Sequence, residues 1–170
     1  MSEELGRLFG SFRVSAFRLE CLPSYDVTED DERESYRLWL AGEQPTARER
    51  AWTKLVASAV AAGKTMQRVR LVSRPMTDYQ RFQCAHGYPA NMAAGEDIRI
   101  LDHEPTDLLR VDFWLFDGTT AVVLEYDDKG RFIRAVVART VEPYRQARDM
   151  ALSAAVPFRE YERRRAGNLW

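Results

Sequence analysis

The feature that most constrains the fold is a pair of apolar segments joined by the dipeptide Asp117-Gly118, in the stretch DFWLFDGTTAVVLEYD. An Asp-Gly dipeptide between apolar runs favours the tight turn that joins two antiparallel strands. We therefore predict a β-hairpin with strands over residues 111–117 and 120–127. A second turn at DDKG leads into a further strand, RFIRAVVAR, so this part of the sheet is predicted to be antiparallel.

Helical and extended patterns alternate along the rest of the chain. TARERAWTKLVASAVAAGK has apolar residues at helical spacing, whereas MQRVRLVSRP alternates like a strand that ends at Pro75. The other predicted elements are a helix over residues 28–42 with Thr28 as its N-cap, a short helix from Thr77 or Asp78, a loop over 86–95, a strand over 96–101 and a helix over 141–156. This order predicts an α/β fold with a mixed sheet of about five strands and flanking helices.

The N-terminal part is predicted to lie outside this sheet. Residues 9–25 mix aromatic and charged side chains, and we interpret them as an extended arm that packs on the main body. We expect one domain with three parts: an N-terminal arm and helix over residues 1–45, an α/β core over 46–162 and a basic tail over 163–170.

Composition and cysteine use narrow the functional classes. The chain has 25 basic and 26 acidic residues, and the dominant positive charge typical of non-specific DNA binding is therefore missing. We expect no direct DNA binding, and no membrane segment or secretory signal.

Cys21 and Cys84 are expected to be buried thiols of a cytoplasmic protein, with a disulfide as the alternative. Cys84, His86 and His103 match no zinc spacing, so we expect no metal and no cofactor.

Two aspartates are the notable charged residues of the predicted hairpin. Asp117 is expected to accept hydrogen bonds from nearby backbone N–H groups of the turn. Asp112 is expected either to pair with Arg68, Arg70 or Arg99 on neighbouring strands or to face a ligand. Because alternate residues of a strand point to opposite faces, the two aspartates should not form a general acid/base pair.

A second group of polar residues lies in the predicted strand MQRVRLV and in the segments that follow it. In an open α/β sheet, ligands usually bind at the carboxyl ends of the strands. We expect a pocket for a small anionic or zwitterionic group anchored by Arg70 or Arg81, or else a solvated charged face. The candidate ligand-binding residues are Arg68, Arg70, Asp78, Tyr79, Arg81, Tyr88, Asn91, Glu96, Asp97, Arg99 and Asp112.

The order of elements from Trp52 to Tyr161 resembles a phospholipase D-like half-domain. That resemblance implies either a phosphodiesterase or an inactive sensor module of a transcription regulator. The active enzymes carry His-x-Lys-x4-Asp, in which the histidine is the nucleophile. With Asp117 at the aspartate position, Arg110 stands at the histidine position and Asp112 at the lysine position. We therefore expect no catalytic residues and no phospholipase D reaction.

The whole chain resembles a family of small actinobacterial proteins of unknown function, through the phrases SAFRLE, RVRLVSRPMTDYQRF, AAGEDIRIL and DFWLFDG. Its members are frequently encoded beside helix-turn-helix regulators, which implies such a regulator as a partner. We expect a non-catalytic regulatory or adaptor protein that binds this partner and a small anionic ligand. Two alternatives stay open: an enzyme of specialised metabolism acting on a small charged substrate, and a metal-independent ribonuclease of toxin type.

The aromatic residues of the predicted arm suggest where a partner would bind. Aromatic and arginine side chains are enriched at the centres of protein interfaces. We expect the arm either to form such an interface or to cover the edge of the sheet. The residues concerned are Phe9, Phe12, Phe17, Leu19 and Tyr25.

Overall fold

A seven-stranded mixed sheet organises the protein in a computed structural model that describes residues 3–26, 30–45, 51–103 and 105–167, with only the backbone described at 30 and 31. The strands are β1 (Ser15–Glu20), β2 (Thr65–Leu71), β3 (Asp97–Leu101), β4 (Phe113–Phe116), β5 (Thr120–Tyr126), β6 (Phe132–Val137) and β7 (Val156–Pro157). Their order across the sheet is β6-β5-β4-β1-β2-β3-β7. The predicted α/β class is confirmed, and the sheet is larger than the five strands predicted because β1 and β7 also belong to it.

Helices connect these strands and cover the sheet. They are α1 (Glu3–Ser11), α2 (Asp30–Leu40), α3 (Ala51–Ala61), α4 (Asp78–Phe82), a π-helix (Gln83–Gly87), α5 (Tyr88–Ala93), α6 (Glu142–Ala154) and α7 (Phe158–Gly167). Strands β1, β2 and β3 are parallel neighbours, whereas β4, β5 and β6 are antiparallel. The crossovers between the parallel strands contain α2 to α5.

The prediction of an extended arm over residues 9–25 is wrong. Residues 3–11 form α1, and β1 lies at the centre of the sheet between β2 and β4. Phe9, Phe12, Phe17 and Leu19 are buried, so the predicted aromatic interface is wrong for these four residues. The alternation of Ala16, Arg18 and Glu20 with apolar residues is the strand pattern, and its charged residues made it look like a surface segment.

The prediction of a loop over residues 86–95 is also wrong. Helix α4, the π-helix and α5 follow one another without a break from Asp78 to Ala93. Pro89 stands in the first turn of α5, directly after the π-helix, where the wider π-type turn interrupts the regular α-helical hydrogen-bond pattern. Thr77 caps α4, as predicted, by accepting a hydrogen bond from the Gln80 N–H at 3.1 Å.

The other residues expected at the beginning or end of a helix have mixed outcomes. Gly42 and Gly63 follow α2 and α3 with positive φ, as predicted for residues that end a helix. Thr28 and the residues from Thr46 to the start of α3 lie outside the described part of the chain. Arg163 to Arg165 belong to α7 rather than to a separate tail.

The hairpin of β4 and β5 is confirmed, but Asp117 does more than shape its turn. Both Asp117 and Gly118 have positive φ. The Asp117 carboxylate accepts hydrogen bonds from the backbone N–H groups of Arg13, Val14 and Ser15 at 2.7–3.2 Å. The aspartate therefore ties the hairpin turn to the start of β1, about a hundred residues earlier in the chain.

The two faces of the sheet differ in their packing. One face carries Phe17, Leu19, Val69 and Phe113, which form a core with α6. The opposite face carries an apolar core with α1 and α3 at one end and another around α5 and α7. Between these two cores, the same face carries buried charged residues.

Candidate functional site

Strand alternation places four charged residues side by side on one face of the sheet. The parallel register pairs Arg18 with Arg68 and Glu20 with Arg70. All four are inaccessible or nearly so, with Arg68 the most exposed at 13% of its side chain. Together with neighbouring groups they form what we call the arginine cluster, which comprises Arg18, Glu20, Tyr25, Arg68, Arg70, Tyr79, Tyr88, Glu96 and Asp112.

Ion pairs connect the centre of the arginine cluster. Arg68 contacts Glu20 at 2.5 Å through Nη1 and Glu96 at 2.8 Å through Nε, and Trp52 donates its indole N–H to Glu96 at 3.0 Å. Burial by itself would raise the pKa of Glu20, but the guanidinium groups of Arg68, Arg70 and Arg18 lower it below its usual range. Glu20 is therefore ionised at neutral pH.

Asp112 is held by three donors at the rim of the cluster. It accepts hydrogen bonds from the Tyr25 hydroxyl at 2.5 Å, the Cys21 N–H at 2.7 Å and Arg18 Nη2 at 3.1 Å. Burial, together with the nearby carboxylates, raises the pKa of Tyr25, which keeps its hydroxyl protonated as a donor. The predicted ion pair of Asp112 exists, but its partner is Arg18 rather than an arginine of β2 or β3.

Arg70 is the least satisfied charged group of the cluster. Its side chain is 1% exposed, and its Nη2 donates to the Leu22 carbonyl at 2.5 Å. Its Nη1 lies 3.6 Å from Glu20 Oε2, which is too far for a hydrogen bond. Neither Nε nor Nη1 has a hydrogen-bond partner within the described ranges. The rings of Tyr25 and Tyr79 lie 4.9 and 5.9 Å from its guanidinium carbon.

A short segment after β1 covers Arg70. We call residues 22–26 the strap. The Pro23 carbonyl accepts a hydrogen bond from the Thr77 hydroxyl at 2.8 Å, and the Asp26 N–H donates to the Gly130 carbonyl at 2.9 Å. A Cβ atom at Gly130 would lie 2.6 Å from the Ser24 carbonyl oxygen, so the close approach of the strap requires glycine there.

Helix α2 packs against α4 and approaches the cluster at Tyr79. Gln83 donates from Nε2 to Glu32 at 2.6 Å and to the Tyr79 hydroxyl at 3.1 Å. The ring of Tyr36 packs edge-on against Tyr79, 6.0 Å away, and is tilted against Phe82. Tyr79, whose pKa is raised by burial, therefore links α2 to Arg70.

The structure brings together some of the predicted ligand-binding residues and separates others. Arg68, Arg70, Tyr79, Tyr88, Glu96 and Asp112 belong to the cluster. Asp78 and Arg81 form an exposed pair on α4, and Asp97 pairs with Arg99 on the opposite face of β3. Asn91 is buried in α5 and accepts the Glu96 N–H with its carbonyl group. Arg81 therefore lies outside the cluster, whereas Arg70 lies within it.

Arg18, Glu20 and Tyr25 are cluster residues that sequence reasoning missed. They were assigned to the arm, away from the sheet. The signal that identifies Arg18 and Glu20 is the period-two alternation of SAFRLEC, in which the residues between them are apolar. Tyr25 gives no such signal, because it follows the strand and reaches Asp112 only through the fold.

The three positions that correspond to the phospholipase D motif do not share a site. Arg110 is exposed, Asp112 is buried in the cluster, and Asp117 stands in the turn at the far end of β4. Cys21 and Cys84 are both buried thiols, as predicted, and they do not form a disulfide with each other.

The β6 edge is the second notable surface. Strand β6 ends the sheet and pairs only with β5 among the described strands. Its large apolar side chains are partly in solvent: Phe132 40%, Ile133 58%, Val136 39% and Val137 45% exposed. Most natural edge strands are shielded by charges or by proline, so this edge is unusually apolar.

Comparison with known proteins identifies a family and nothing finer. No curated protein matches the chain, and none of the described helices has the length and apolar character needed to cross a membrane. The profile of the family called Domain of unknown function (DUF6879) matches residues 3–163, which covers the whole sheet and the arginine cluster. The chain therefore belongs to the DUF6879 family.

Proposed function

We propose that this protein is a non-catalytic regulatory or adaptor protein that binds a partner protein through the β6 edge. The partner we propose is a helix-turn-helix regulator, because the chain resembles small actinobacterial proteins that are frequently encoded beside such regulators. A cytoplasmic location follows from that partner. We propose no phospholipase D chemistry, because an arginine stands where that reaction needs its histidine.

The exposed apolar composition of the β6 edge is the observation that carries this proposal. Four of the seven large apolar residues that are exposed in the described chain lie in this one strand. Its one charged residue, Arg134, is paired with Glu125 on β5 at 2.8 Å. Val136 and Val137 are adjacent in the strand and point to opposite faces, so apolar side chains flank this edge on both faces of the sheet. An exposed apolar edge strand is a ready template for pairing with another chain.

The backbone of β6 indicates what kind of segment would bind. The Ala138 N–H donates to the Ala121 carbonyl at 2.9 Å, toward β5. Because hydrogen-bonding direction alternates along an antiparallel strand, the peptide groups of Val137 and Ala135 point away from β5. An extended segment of the partner would pair with these groups and add a strand to the sheet. The apolar side chains of β6 would then favour apolar residues in that segment.

The acidic groups and thiols support a non-catalytic role. Glu20, Glu96 and Asp112 each accept a charged contact from an arginine of the cluster, so none of them stands ready as a general base. Burial raises the pKa of Cys84 to about 11, which keeps this thiol protonated and weakly nucleophilic at neutral pH.

Co-purification from the native host tests the proposal. A tagged copy should recover a helix-turn-helix protein in near-stoichiometric amount, identified by mass spectrometry. Ile133→Lys should reduce that recovery at least about tenfold, since it places a charge at the apolar interface. Val137→Pro should also reduce it, because proline removes an N–H group that points toward the partner.

Val14→Lys is the matched control. Val14 is 65% exposed and lies before β1, so this variant adds the same charge away from the β6 edge and should recover the partner normally. Undiminished recovery by a stably folded Ile133→Lys variant would contradict docking at β6. Recovery of the protein alone with a bound metabolite would favour an enzyme that acts on a small charged substrate.

A further inference from the structure

We propose that the arginine cluster binds a small monocarboxylate and that Arg70 holds its carboxylate group. This inference does not rest on the partner proposed above, since the cluster lies on a buried face of β1 and β2 and the β6 edge lies at the end of the sheet. Either proposal can fail without the other.

Unsatisfied donors indicate that the cluster takes a ligand. Arg70 Nε and Nη1 and Arg18 Nη1 are buried, and none of the three has a hydrogen-bond partner in the described part of the chain. Buried donors without partners are rare in native proteins because each costs free energy. Guanidinium groups only donate, so the missing partner must supply acceptor oxygens.

Arg70 is not needed to neutralise the carboxylates around it. Glu20 is contacted at 2.5 Å by Arg68, whereas Arg18 and Arg70 both approach it only to 3.6 Å. Arg18 has a closer carboxylate in Asp112 at 3.1 Å, and Glu96 is held by Arg68. Among the described residues, Arg70 is therefore the one arginine of the cluster that has no carboxylate oxygen within hydrogen-bond distance.

The charge balance of the cluster favours a monoanion over a phosphate dianion. The cluster contains three guanidinium groups and three carboxylates, which sum to zero: Arg18, Arg68, Arg70, Glu20, Glu96 and Asp112. Excess charge is costly in a desolvated site, and a second negative charge would add to that cost without a matching cation. A bound monocarboxylate gives the site a net charge of −1 and a phosphate dianion gives it −2, so one carboxylate group supplies the missing acceptor oxygens at the smaller cost.

Aromatic rings around Arg70 define the rest of the ligand. Tyr25 and Tyr79 pack against its guanidinium group, and Tyr88 is buried beside it. Sites for small ligands commonly combine apolar or aromatic walls with a few polar groups that fix orientation. The ligand class is therefore a small monocarboxylate with an apolar or aromatic body.

Nuclear magnetic resonance of the arginine side chains tests this assignment at the atom concerned. The Nε–H signal of Arg70, assigned in the wild-type protein, is followed during titration with acetate, isovalerate and benzoate. We expect it to shift saturably, with benzoate or isovalerate binding more tightly than acetate because their bodies contact the tyrosines. Inorganic phosphate and neutral benzamide should leave the signal unchanged.

Two arginine variants separate the site from the surface. Arg70→Lys should weaken benzoate binding at least about tenfold, since a charged hydrogen bond is lost, and Arg81→Lys on exposed α4 should bind normally. If Arg70→Lys does not fold, the wild-type titration decides the question alone. An Arg70 signal that responds to none of the three carboxylates, or that responds to phosphate instead, would overturn the proposal.

Discussion

The two faces of the central strands use neighbouring residues for opposite purposes. On the α6 face, Phe17, Leu19 and Val69 pack into an apolar core. On the other face, the alternate residues of the same strands include Arg18, Glu20 and Arg70, which are equally buried. The apolar face gains stability from burial alone. The charged face must recover the cost of desolvation through its contacts, and three of its donors do not.

The ligand site that we propose at the arginine cluster would account for this difference. Replacement of buried ion pairs by apolar residues of similar size is often neutral or stabilising. A sequence selected only for stability would therefore carry apolar residues on both faces of β1 and β2. Local departures from such rules are expected at functional sites, which natural proteins stabilise elsewhere.

The largest predicted loss of stability is that of Glu20→Gln. Glu20→Gln removes the carboxylate that faces three guanidinium groups, which leaves buried positive charge uncompensated. The free energy of unfolding should fall by about 3–5 kcal/mol at neutral pH. Urea denaturation followed by circular dichroism measures this change. A loss of less than about 1 kcal/mol would show that Glu20 is not needed to compensate the buried guanidinium groups.

Low pH should destabilise the charged face of the sheet before it destabilises the apolar face. Because the pKa of Glu20 is lowered from 4.5 by its arginines, ionised Glu20 stabilises the fold above that pH. This stabilisation is lost as the pH falls through the lower pKa of the folded state. Urea midpoints below pH 4.5 should therefore fall less steeply in Glu20→Gln than in the wild-type protein. Parallel curves for the two proteins would be the contrary result.

Leu19→Ala tests the apolar face at the adjacent residue. Leu19 is fully buried in the core with α6, so its truncation removes apolar contacts and leaves a cavity. We expect the free energy of unfolding to fall by about 3 kcal/mol, with no change in its dependence on pH. The same urea experiments at two pH values measure both quantities. An altered pH dependence would show that the two faces are coupled.

Tyr25→Phe should have an intermediate effect. The substitution removes the hydroxyl that donates to Asp112 but keeps the ring against Arg70. Asp112 retains two other donors, so we expect a loss of about 1–2 kcal/mol. Thermal denaturation measures it, and Tyr126→Phe, which loses a hydroxyl bonded to Arg18, is the matched comparison. Equal stability of Tyr25→Phe and the wild-type protein would mean that the strap is not held by this hydrogen bond.

Arg81→Ala should have the smallest effect. Arg81 lies on the surface of α4, paired with Asp78 and with the Met76 carbonyl. Its loss should change the free energy of unfolding by at most about 0.5 kcal/mol. Benzoate binding by this variant should equal that of the wild-type protein. Weakened benzoate binding, measured by the same titration, would show that Arg81 contributes to the ligand site although it lies outside the arginine cluster.

Elements with a strong local pattern could be predicted from the sequence. The Asp117-Gly118 turn identified the hairpin of β4 and β5, and the predicted helix over residues 141–156 is α6, which has Pro143 in its first turn. Residues 86–95 were misjudged because glycine and proline usually interrupt helices, whereas here Pro89 occupies a first turn after a π-helix. Local pattern alone does not distinguish these two uses of proline.

The arginine cluster required contacts between segments far apart in the chain. Arg68 and Arg70 were identified as candidates from their own strand. Their partner Glu20 was not, because about fifty residues separate it from them and its strand was taken for an arm. The charge of Glu20 also made its strand difficult to recognise in the sequence. Parallel pairing of this kind has no turn that would reveal it in the sequence.

The most direct test of the account is the free energy of unfolding of Arg70→Met, measured by urea denaturation without ligand. If Arg70 serves a ligand, its replacement removes two unsatisfied donors and one hydrogen bond to the Leu22 carbonyl, and it leaves Glu20 paired with Arg68. We predict a loss of at most about 1 kcal/mol relative to the wild-type value, which is the typical contribution of that one hydrogen bond. A loss of about 3–5 kcal/mol would show that Arg70 is a structural partner and would contradict the account.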